Sequence, residues 1–344
     1  MEYTIEKKRI EYFDLMKGVC IVLVVISHCY EEIGIRMECE SLWSMLEHLR
    51  MPLYFFLSGM FFKEYSCFID FVIRKINKLI IPFLFFSLIT VIPKLMSGEI
   101  PVELIPIKKH FTWMIKFGGY LWFLRALFFS NILYYIFHKS TKQLNIYKQT
   151  CIILFFTAIG WWINSYIPLD GNYRETHTYL TNIVTSFLVL PFFFVATNLR
   201  KHLLNIQSIN KLTLSCIFIC SILICYITSR GGVYLVNAKI ENNIILFYIA
   251  AFSAITCVWC ICFTIKRLFY FSYLGRYSII VYLTHIPIMQ FIVYKHLTVS
   301  FAWLTFIVLL LMPIMIWGFN KYFPQFVAQR DLLTFNNGKI SIAK

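Results

Sequence analysis

Charged residues are scarce in this chain, because Asp, Glu, Lys and Arg together make up only 14% of its 344 residues. Soluble globular domains carry about 25% charged residues. A chain of this length cannot cover a water-facing surface with so few charges. Hydrophobic residues make up 59% of it and aromatic residues 19%, which also excludes a disordered chain. The composition therefore predicts an all-α helical bundle embedded in the lipid bilayer.

Acidic residues are scarcer still, since 17 Asp and Glu stand against 32 Lys and Arg, giving a net charge of +15. In a soluble protein this excess would indicate a nucleic-acid partner. Here the basic residues lie in short runs between apolar segments, a pattern typical of topology signals and of contacts with lipid headgroups. We therefore expect the lipid bilayer as a partner, and no nucleic acid.

The cysteines raise the question of a metal site. Cys257, Cys260 and Cys262 have a metal-like spacing, but no His or acidic residue stands near them to complete a ligand set. Most of the 11 cysteines lie inside apolar runs, where a thiol packs as a small hydrophobic group. The sequence predicts no metal and no tightly bound cofactor.

Ten apolar runs are candidate membrane spans, because a helix needs about 20 apolar residues to cross the hydrocarbon core. They cover residues 15–33, 49–63, 79–97, 120–138, 150–168, 179–198, 212–229, 243–264, 273–294 and 299–320. The second run is short and contains Pro52 and Gly59, which indicates a tilted or broken helix. The short connections predict one domain over residues 1–344, with a cytoplasmic tail at 321–344.

The distribution of basic residues predicts the orientation of the bundle. Ten spans place both termini on the same side of the membrane. If that side is the cytoplasm, the inside segments hold 20 Lys and Arg and the outside segments hold 10. Because basic residues are enriched in cytoplasmic loops, we expect both termini in the cytoplasm.

The first span carries ionisable residues, which are costly in a bilayer and mark functional candidates. Lys17 and His28 are eleven residues apart. They therefore share one helix face at a separation of ~16 Å, with Asp14 within about 40° of that face. This stripe predicts a charged entrance with a single imidazole deeper in the membrane. A snorkelling lysine and a structural histidine are the alternative.

Further polar candidates stand in or beside later spans, and they are Arg50, Ser58, Arg74, Lys75, Lys78, Arg125, Tyr282 and His285. The cluster of Arg74, Lys75 and Lys78 suits phosphate groups, for which basic side chains supply charge and hydrogen-bond donors. The same cluster equally suits a topology signal or anionic lipid.

In this order the motifs resemble the acyltransferase-three family of bacterial integral membrane proteins and, within it, the fucose 4-O-acetylase-like branch. The stretches that carry the resemblance are Arg9…Asp14…Lys17-Gly18…His28, Arg50-Met51-Pro52-Leu53…Ser58-Gly59, Lys75-x2-Lys78, Trp122-Phe123-Leu124 and Gly275…Ser278…Tyr282…His285. The family often has two arginines where Lys75 and Lys78 stand. The resemblance covers residues 9 to about 285.

The resemblance implies an O-acetyltransferase of the bacterial inner membrane. Its co-substrate would be acetyl-CoA, and its acceptor a hydroxyl of a cell-surface or exported glycan or of a lipid-linked sugar. His28 would be the general base or a transient acyl carrier, with Asp14 and Lys17 beside it. The residues implied in acyl-CoA binding are Arg9, Arg74, Lys75 and Lys78, and those implied in the oxyanion or acceptor site are Arg50, Ser58, Arg125, Tyr282 and His285.

A transporter or flippase for a lipid-linked sugar or small solute is the main alternative, because polar residues within spans also line transport paths. Many transporters are built from inverted repeats. The two halves of this sequence share no spaced pair of motifs, which favours the enzyme. A receptor-like binding protein is a more distant alternative.

Overall fold

The computed structural model describes residues 10–33, 40–65, 67–90, 92, 111–112, 114–116, 118–166, 178–294, 300–336 and 338–343. The helices of these residues are α1 (Glu11–Ile33), α2 (Glu40–Met60), α3 (Phe68–Lys75), a π-helical segment (Ile76–Ile80), α4 (Ile81–Ile89), α5 (Trp122–Thr141), α6 (Ile146–Tyr166), α7 (Thr178–Asn205), α8 (Lys211–Thr228), α9 (Ile244–Ile265), α10 (Phe269–Arg276), α11 (Ser278–Tyr294) and α12 (Phe301–Tyr322). The predicted all-α membrane bundle is confirmed.

Two short antiparallel hairpins, which the sequence did not predict, accompany the helices. One pairs β1 (Val233–Tyr234) with β2 (Lys239–Ile240), in the connection between α8 and α9. The other pairs β3 (Leu333–Asn336) with β4 (Lys339–Ile342), so the predicted tail is in part a folded element.

Within the described residues, seven helices are long and apolar enough to cross a membrane, or eight if α10 and α11 form one broken span. The seven helices coincide with the first, the fourth to eighth and the tenth predicted spans. The bent pair of α10 and α11 coincides with the ninth predicted span. Part of the third predicted span, 79–97, lies outside the described residues. The total of ten spans and the cytoplasmic termini stay predictions.

The helix at the second predicted span, 49–63, is longer than the apolar run, because α2 begins at Glu40 and continues through Pro52 to Met60. The first half of α2 is too polar to be predicted as a membrane span from hydropathy. Its polar side chains form hydrogen bonds with the connection that contains the β1–β2 hairpin. The backbone N–H of Val233 donates to Glu47 Oε2 at 3.0 Å, and Asn242 Nδ2 lies 3.2 Å from His48 Nε2. Buried polar groups persist in a bundle when they are paired in this way.

Two glycines of the predicted motifs bring α1 and α10 into backbone contact. A Cβ atom at Gly18 would lie 1.9 Å from the carbonyl oxygen of Phe271, and one at Gly275 would lie 1.8 Å from that of Asp14. Small residues allow this close approach of membrane helices. A bend of 91° then separates α10 from α11, which also packs against α1. These contacts place the late motif beside the first span.

The loop after α2 contacts residues of α1 and α7 on one side of the bundle. Lys17 Nζ lies 4.3 Å from the ring centre of Phe61, and Arg200 Nη1 donates to the carbonyl oxygen of Phe62 at 2.8 Å. We name this side, which carries Lys17 and Arg200, the inner end. The opposite side, which carries the β1–β2 hairpin, is the outer end.

Reporter fusions test the orientation of α2, which connects the outer end to the inner end. A topology reporter fused after residue 40 should be extracytoplasmic, and one fused after residue 70 should be cytoplasmic, because the inner end carries the basic loops. Activity of both reporters in the same compartment would contradict this topology.

Candidate active site

Near the outer end of α1, His28 is oriented by an acidic residue one helical turn later. His28 Nδ1 lies 3.0 Å from Glu31 Oε2, a distance within the range of a charge-assisted hydrogen bond. When Nδ1–H donates to the carboxylate, Nε2 carries the lone pair and can accept a proton. The side chains of His28 and Glu31 are 30% and 58% exposed, so a ligand can reach them.

Glu31 is the residue of this site that sequence reasoning missed. Glu31 falls within the first predicted span, 15–33, but no role was predicted for it. In the structure α1 continues to Ile33, so residues 28 and 31 share a face at i, i+3 spacing. The signal in the sequence is therefore His-x-x-Glu near the end of a predicted helix, a spacing that places the two side chains side by side.

His285 of α11 faces His28. The two ring centres are 5.4 Å apart, and His285 is only 1% exposed. Its Nδ1 lies 3.0 Å from the carbonyl oxygen of Val281, whereas its Nε2 is buried with no hydrogen-bond partner among the described residues. A buried polar atom without a partner costs about 1–3 kcal/mol. The acceptor-site role suggested for His285 stays a prediction.

Arg50 of α2 lies within electrostatic range of Glu31. Its guanidinium carbon is 4.9 Å from the ring centre of Trp43, and its Nε donates to the carbonyl oxygen of Leu46 at 3.3 Å. The structure thus places Arg50 near the His28–Glu31 pair, and its oxyanion or acceptor role stays a prediction.

Tyr282 and Arg125 contact the segment that precedes α5. The hydroxyl of Tyr282 donates to the carbonyl oxygen of Tyr120 at 2.5 Å, and its ring centre is 6.0 Å from that of His285. Arg125 is 3% exposed, and its Nη1 donates to the carbonyl oxygen of Ile115 at 2.7 Å. Tyr282 therefore borders the histidine pair, whereas Arg125 binds the backbone of the segment before α5. The catalytic roles suggested for both residues stay predictions.

Ser58 and Lys17 mark the inner end of the same helix pair. Ser58 stands two residues before α2 ends at Met60, and Lys17 contacts Phe61 just beyond that end. The structure therefore groups Ser58 with Lys17, at the far end of α1 from His28. Because α1 is one continuous helix, the predicted ~16 Å between Lys17 and His28 holds. Asp14 is buried where α1 crosses α10.

Two cations of the predicted basic cluster pair with acidic residues of the same chain. Arg74 Nε donates to Asp70 Oδ1 at 2.9 Å. Lys78 Nζ donates to the carbonyl oxygen of Ala328 at 2.7 Å and lies 3.5 Å from Asp331 Oδ1. Both side chains remain close to half exposed. Arg9, which the sequence also assigned to acyl-CoA, lies outside the described residues.

Lys75 is the most enclosed cation of the cluster. It precedes the third predicted span, and its Nζ lies 5.2 Å from the ring centre of Phe71. Burial lowers the pKa of Lys75 to about 8. An ammonium group that is partly desolvated gains more from an anionic ligand than one that water already solvates.

A small cavity of about 120 Å³ lies among α1, α2, the π-helical segment, α5 and α11. At one side it is lined by Leu79 of the π-helical segment, which follows Lys78 in the chain. At the other side it is lined by Val24 and Tyr282, which stand one helical turn before His28 and His285. The rest of its wall is mostly apolar. The cavity therefore adjoins residues next to Lys78 and residues one turn from the two histidines, while Lys78, His28 and His285 do not themselves line it.

A larger cavity of about 400 Å³ lies elsewhere, between α8 and α9. Cys260 lines it, and Cys262 is buried in the same helix. In the part of the chain that the structure describes, no three His, Cys, Asp or Glu side chains are grouped as metal ligands. Neither this cavity nor the cysteines contribute to the histidine site.

Comparison with known families agrees with these groups of residues. The family model Acyl_transf_3, described as an acyltransferase domain, matches residues 10–320. Comparisons with curated proteins and with solved structures gave no match. The matched segment contains the histidine pair, the basic cluster and the residues that line the small cavity, and it ends within the last turn of α12. Because the match spans most of a chain built from apolar membrane helices, the protein belongs to the Acyl_transf_3 family of membrane acyltransferases.

Proposed function

We propose that this protein is an O-acetyltransferase of the bacterial inner membrane, of the fucose 4-O-acetylase-like branch. It transfers acetyl from acetyl-CoA in the cytoplasm to a hydroxyl of a glycan or lipid-linked sugar at the outer end. One observation carries the proposal: His28 is paired with Glu31 and faces His285, within the residues that match an acyltransferase domain. The small cavity that Leu79, Val24 and Tyr282 line would be the path of a thin donor arm from the opposite side of the membrane.

The donor would bind with its phosphates at the inner end. Lys75 and Lys78, helped by Lys17 and Arg74, supply positive charge and hydrogen-bond donors for phosphate oxygens. The pantetheine arm would then follow the cavity, where the hydroxyls of Tyr54 and Ser278 lie side by side. The ~16 Å from Lys17 to His28 matches the span that such an arm must cover.

The transfer itself would take place at His28. Its Nε2 accepts the proton of the acceptor hydroxyl while the hydroxyl oxygen attacks the thioester carbonyl carbon. The carbon–sulfur bond then breaks, and the departing thiolate takes the proton from the imidazolium. The Glu31 carboxylate stabilises that imidazolium, as the acidic member of a catalytic triad does. Arg50 would supply positive charge near the oxyanion.

A transfer assay separates this activity from sugar transport. Membranes that contain the protein are incubated with acetyl-CoA labelled in the acetyl group, and the glycan fraction is then examined for label. The enzyme should produce acetylated glycan, and membranes from a deletion strain should not. A flippase would leave the glycan unlabelled in both.

Neutralising the basic cluster should weaken donor binding more than chemistry. For Lys75→Ala combined with Lys78→Ala, we expect the KM for acetyl-CoA to rise at least about tenfold, because charge-assisted hydrogen bonds are lost. The matched control is Lys211→Ala, which removes a cation at the start of α8 and should leave the KM unchanged. Normal expression with a lower kcat and an unchanged KM would show that the cluster is not a CoA site.

The lowered pKa of Lys75 predicts a pH dependence of donor binding. Lys75 loses its charge as the pH rises through about 8, and phosphate binds the charged form. The KM for acetyl-CoA should therefore rise up to about tenfold between pH 7 and pH 9. Lys75→Arg, which stays charged in this range, should flatten the profile. A rise of the same size in Lys75→Arg would assign the pH dependence to another group.

A further inference from the structure

The C-terminal segment (Pro324–Ile342) lies beyond the residues that match the family and folds back onto the basic cluster. The ring of Phe326 stacks on that of Phe85 in α4, with centres 4.3 Å apart. Beyond it, β3 packs against α3, the helix that carries Arg74 and Lys75. A segment outside the family domain thus forms part of the wall around the proposed donor site.

Asn77 fixes the register of this segment. It is 1% exposed, and its Oδ1 accepts hydrogen bonds from the backbone N–H groups of Leu332 and Leu333 at 3.0 and 2.8 Å. Its Nδ2 donates to the carbonyl oxygen of Leu333 at 2.7 Å. Asn77 belongs to the π-helical segment, and such segments are frequent at functional sites. These three hydrogen bonds fix the backbone of Leu332 and Leu333, and they thereby position Asp331, which directly precedes Leu332 in the chain.

Asp331 is placed where a phosphate would be expected. Its Oδ1 is buried and lies 3.5 Å from Lys78 Nζ, the cation assigned to the donor. The side chains of Lys78 and Asp331 are 46% and 35% exposed, so the pair can separate without opening the core. The Ala328 carbonyl, which accepts from Lys78 at 2.7 Å, keeps Nζ at the same place.

We propose that the C-terminal segment is a specificity-determining part of the acyl-CoA site, in which the Asp331 carboxylate holds Lys78 until a donor phosphate displaces it. Asp331 thereby weakens the binding of every acyl-CoA and favours ligands with enough negative charge to compete. This inference rests on the proposed function, because it takes the basic cluster as the donor site. A partly exposed ion pair is weak enough to be exchanged in this way.

Acetyl-CoA binding by the purified full-length protein in nanodiscs tests the inference. Asp331→Asn should bind acetyl-CoA about twofold to fivefold more tightly than the wild type, because Lys78 loses its competing anion. Asp331→Glu retains the charge and should bind as the wild type does. Glu64→Gln removes an acidic partner of His138 and Lys142 elsewhere at the inner end and serves as the matched control.

A double-mutant cycle identifies the partner of Asp331. Lys78→Ala alone should weaken acetyl-CoA binding, and Asp331→Asn should have no further effect in the Lys78→Ala background. If Lys78→Ala weakens binding but Asp331→Asn leaves the Kd unchanged, the inference about the C-terminal segment is overturned and the donor site stands. If neither Lys75→Ala nor Lys78→Ala alters the Kd, the proposed donor site itself is wrong.

Discussion

His28→Ala is expected to lower acyl transfer about a hundredfold to ten-thousandfold, the usual contribution of a general base. The variant should reach the membrane in normal amounts, because His28 is partly exposed at the outer end and its hydrogen-bond partner, Glu31, is exposed to water as well. The measurement is the acetylation of the glycan in cells that carry equal amounts of each protein.

Two other histidines provide the comparison. His285→Ala should have a milder effect than His28→Ala, because His285 contacts the base and does not itself take the proton. His138→Ala removes a partly exposed histidine at the inner end, where it pairs with Glu64, and should leave acetylation unchanged. Normal acetylation in the His28→Ala strain would end the proposed mechanism while leaving the fold intact.

Glu31→Gln is expected to lower kcat about tenfold to a hundredfold, because the imidazolium loses a charge-assisted hydrogen bond worth about 1.5–3 kcal/mol. The amide keeps the size of the side chain and an oxygen that can accept from His28 Nδ1. It removes the negative charge that stabilises the imidazolium. The KM for acetyl-CoA should not change, since the proposed phosphate site lies at the inner end.

Glu32→Gln is the matched control for Glu31→Gln. It removes the same charge one residue later, and no hydrogen bond to His28 is lost with it. If the two variants lose equal activity, a general electrostatic effect explains the result and the orienting role of Glu31 is wrong. Full activity of Glu31→Gln would equally exclude that role.

Hydropathy predicted best the helices that face lipid. The seventh and eighth predicted spans, 212–229 and 243–264, correspond to α8 (Lys211–Thr228) and α9 (Ile244–Ile265) within one residue at each end. Lipid contacts require apolar side chains all along such helices, so the sequence shows their length directly.

The first half of α2 could not be predicted in this way. Its buried polar residues pair with a connection nearly two hundred residues later, as in the contact of Glu47 with Val233. Nothing local in the sequence indicates that these partners exist. A helix whose polar residues are satisfied by distant segments resembles a loop when the sequence is read alone.

The candidate site shows the same division between local and distant information. The motifs identified His28 and His285 separately, but their contact at 5.4 Å depends on the bend between α10 and α11. Lys75 and Lys78 were identified by their charge, whereas the acidic partner of Lys78 lies in the C-terminal segment. Sequence patterns thus identify the chemical groups, and tertiary packing determines which groups meet.

Sealed inside-out vesicles provide the most direct test of acyl transfer across the membrane at His28. Acetyl-labelled acetyl-CoA is added to the outside, which is the cytoplasmic face, and the acceptor glycan is enclosed within. Wild-type vesicles should place label on the enclosed glycan, and vesicles with equal amounts of His28→Gln should not. The account would be contradicted if wild-type vesicles left the glycan unlabelled, or if His28→Gln labelled it at the wild-type rate.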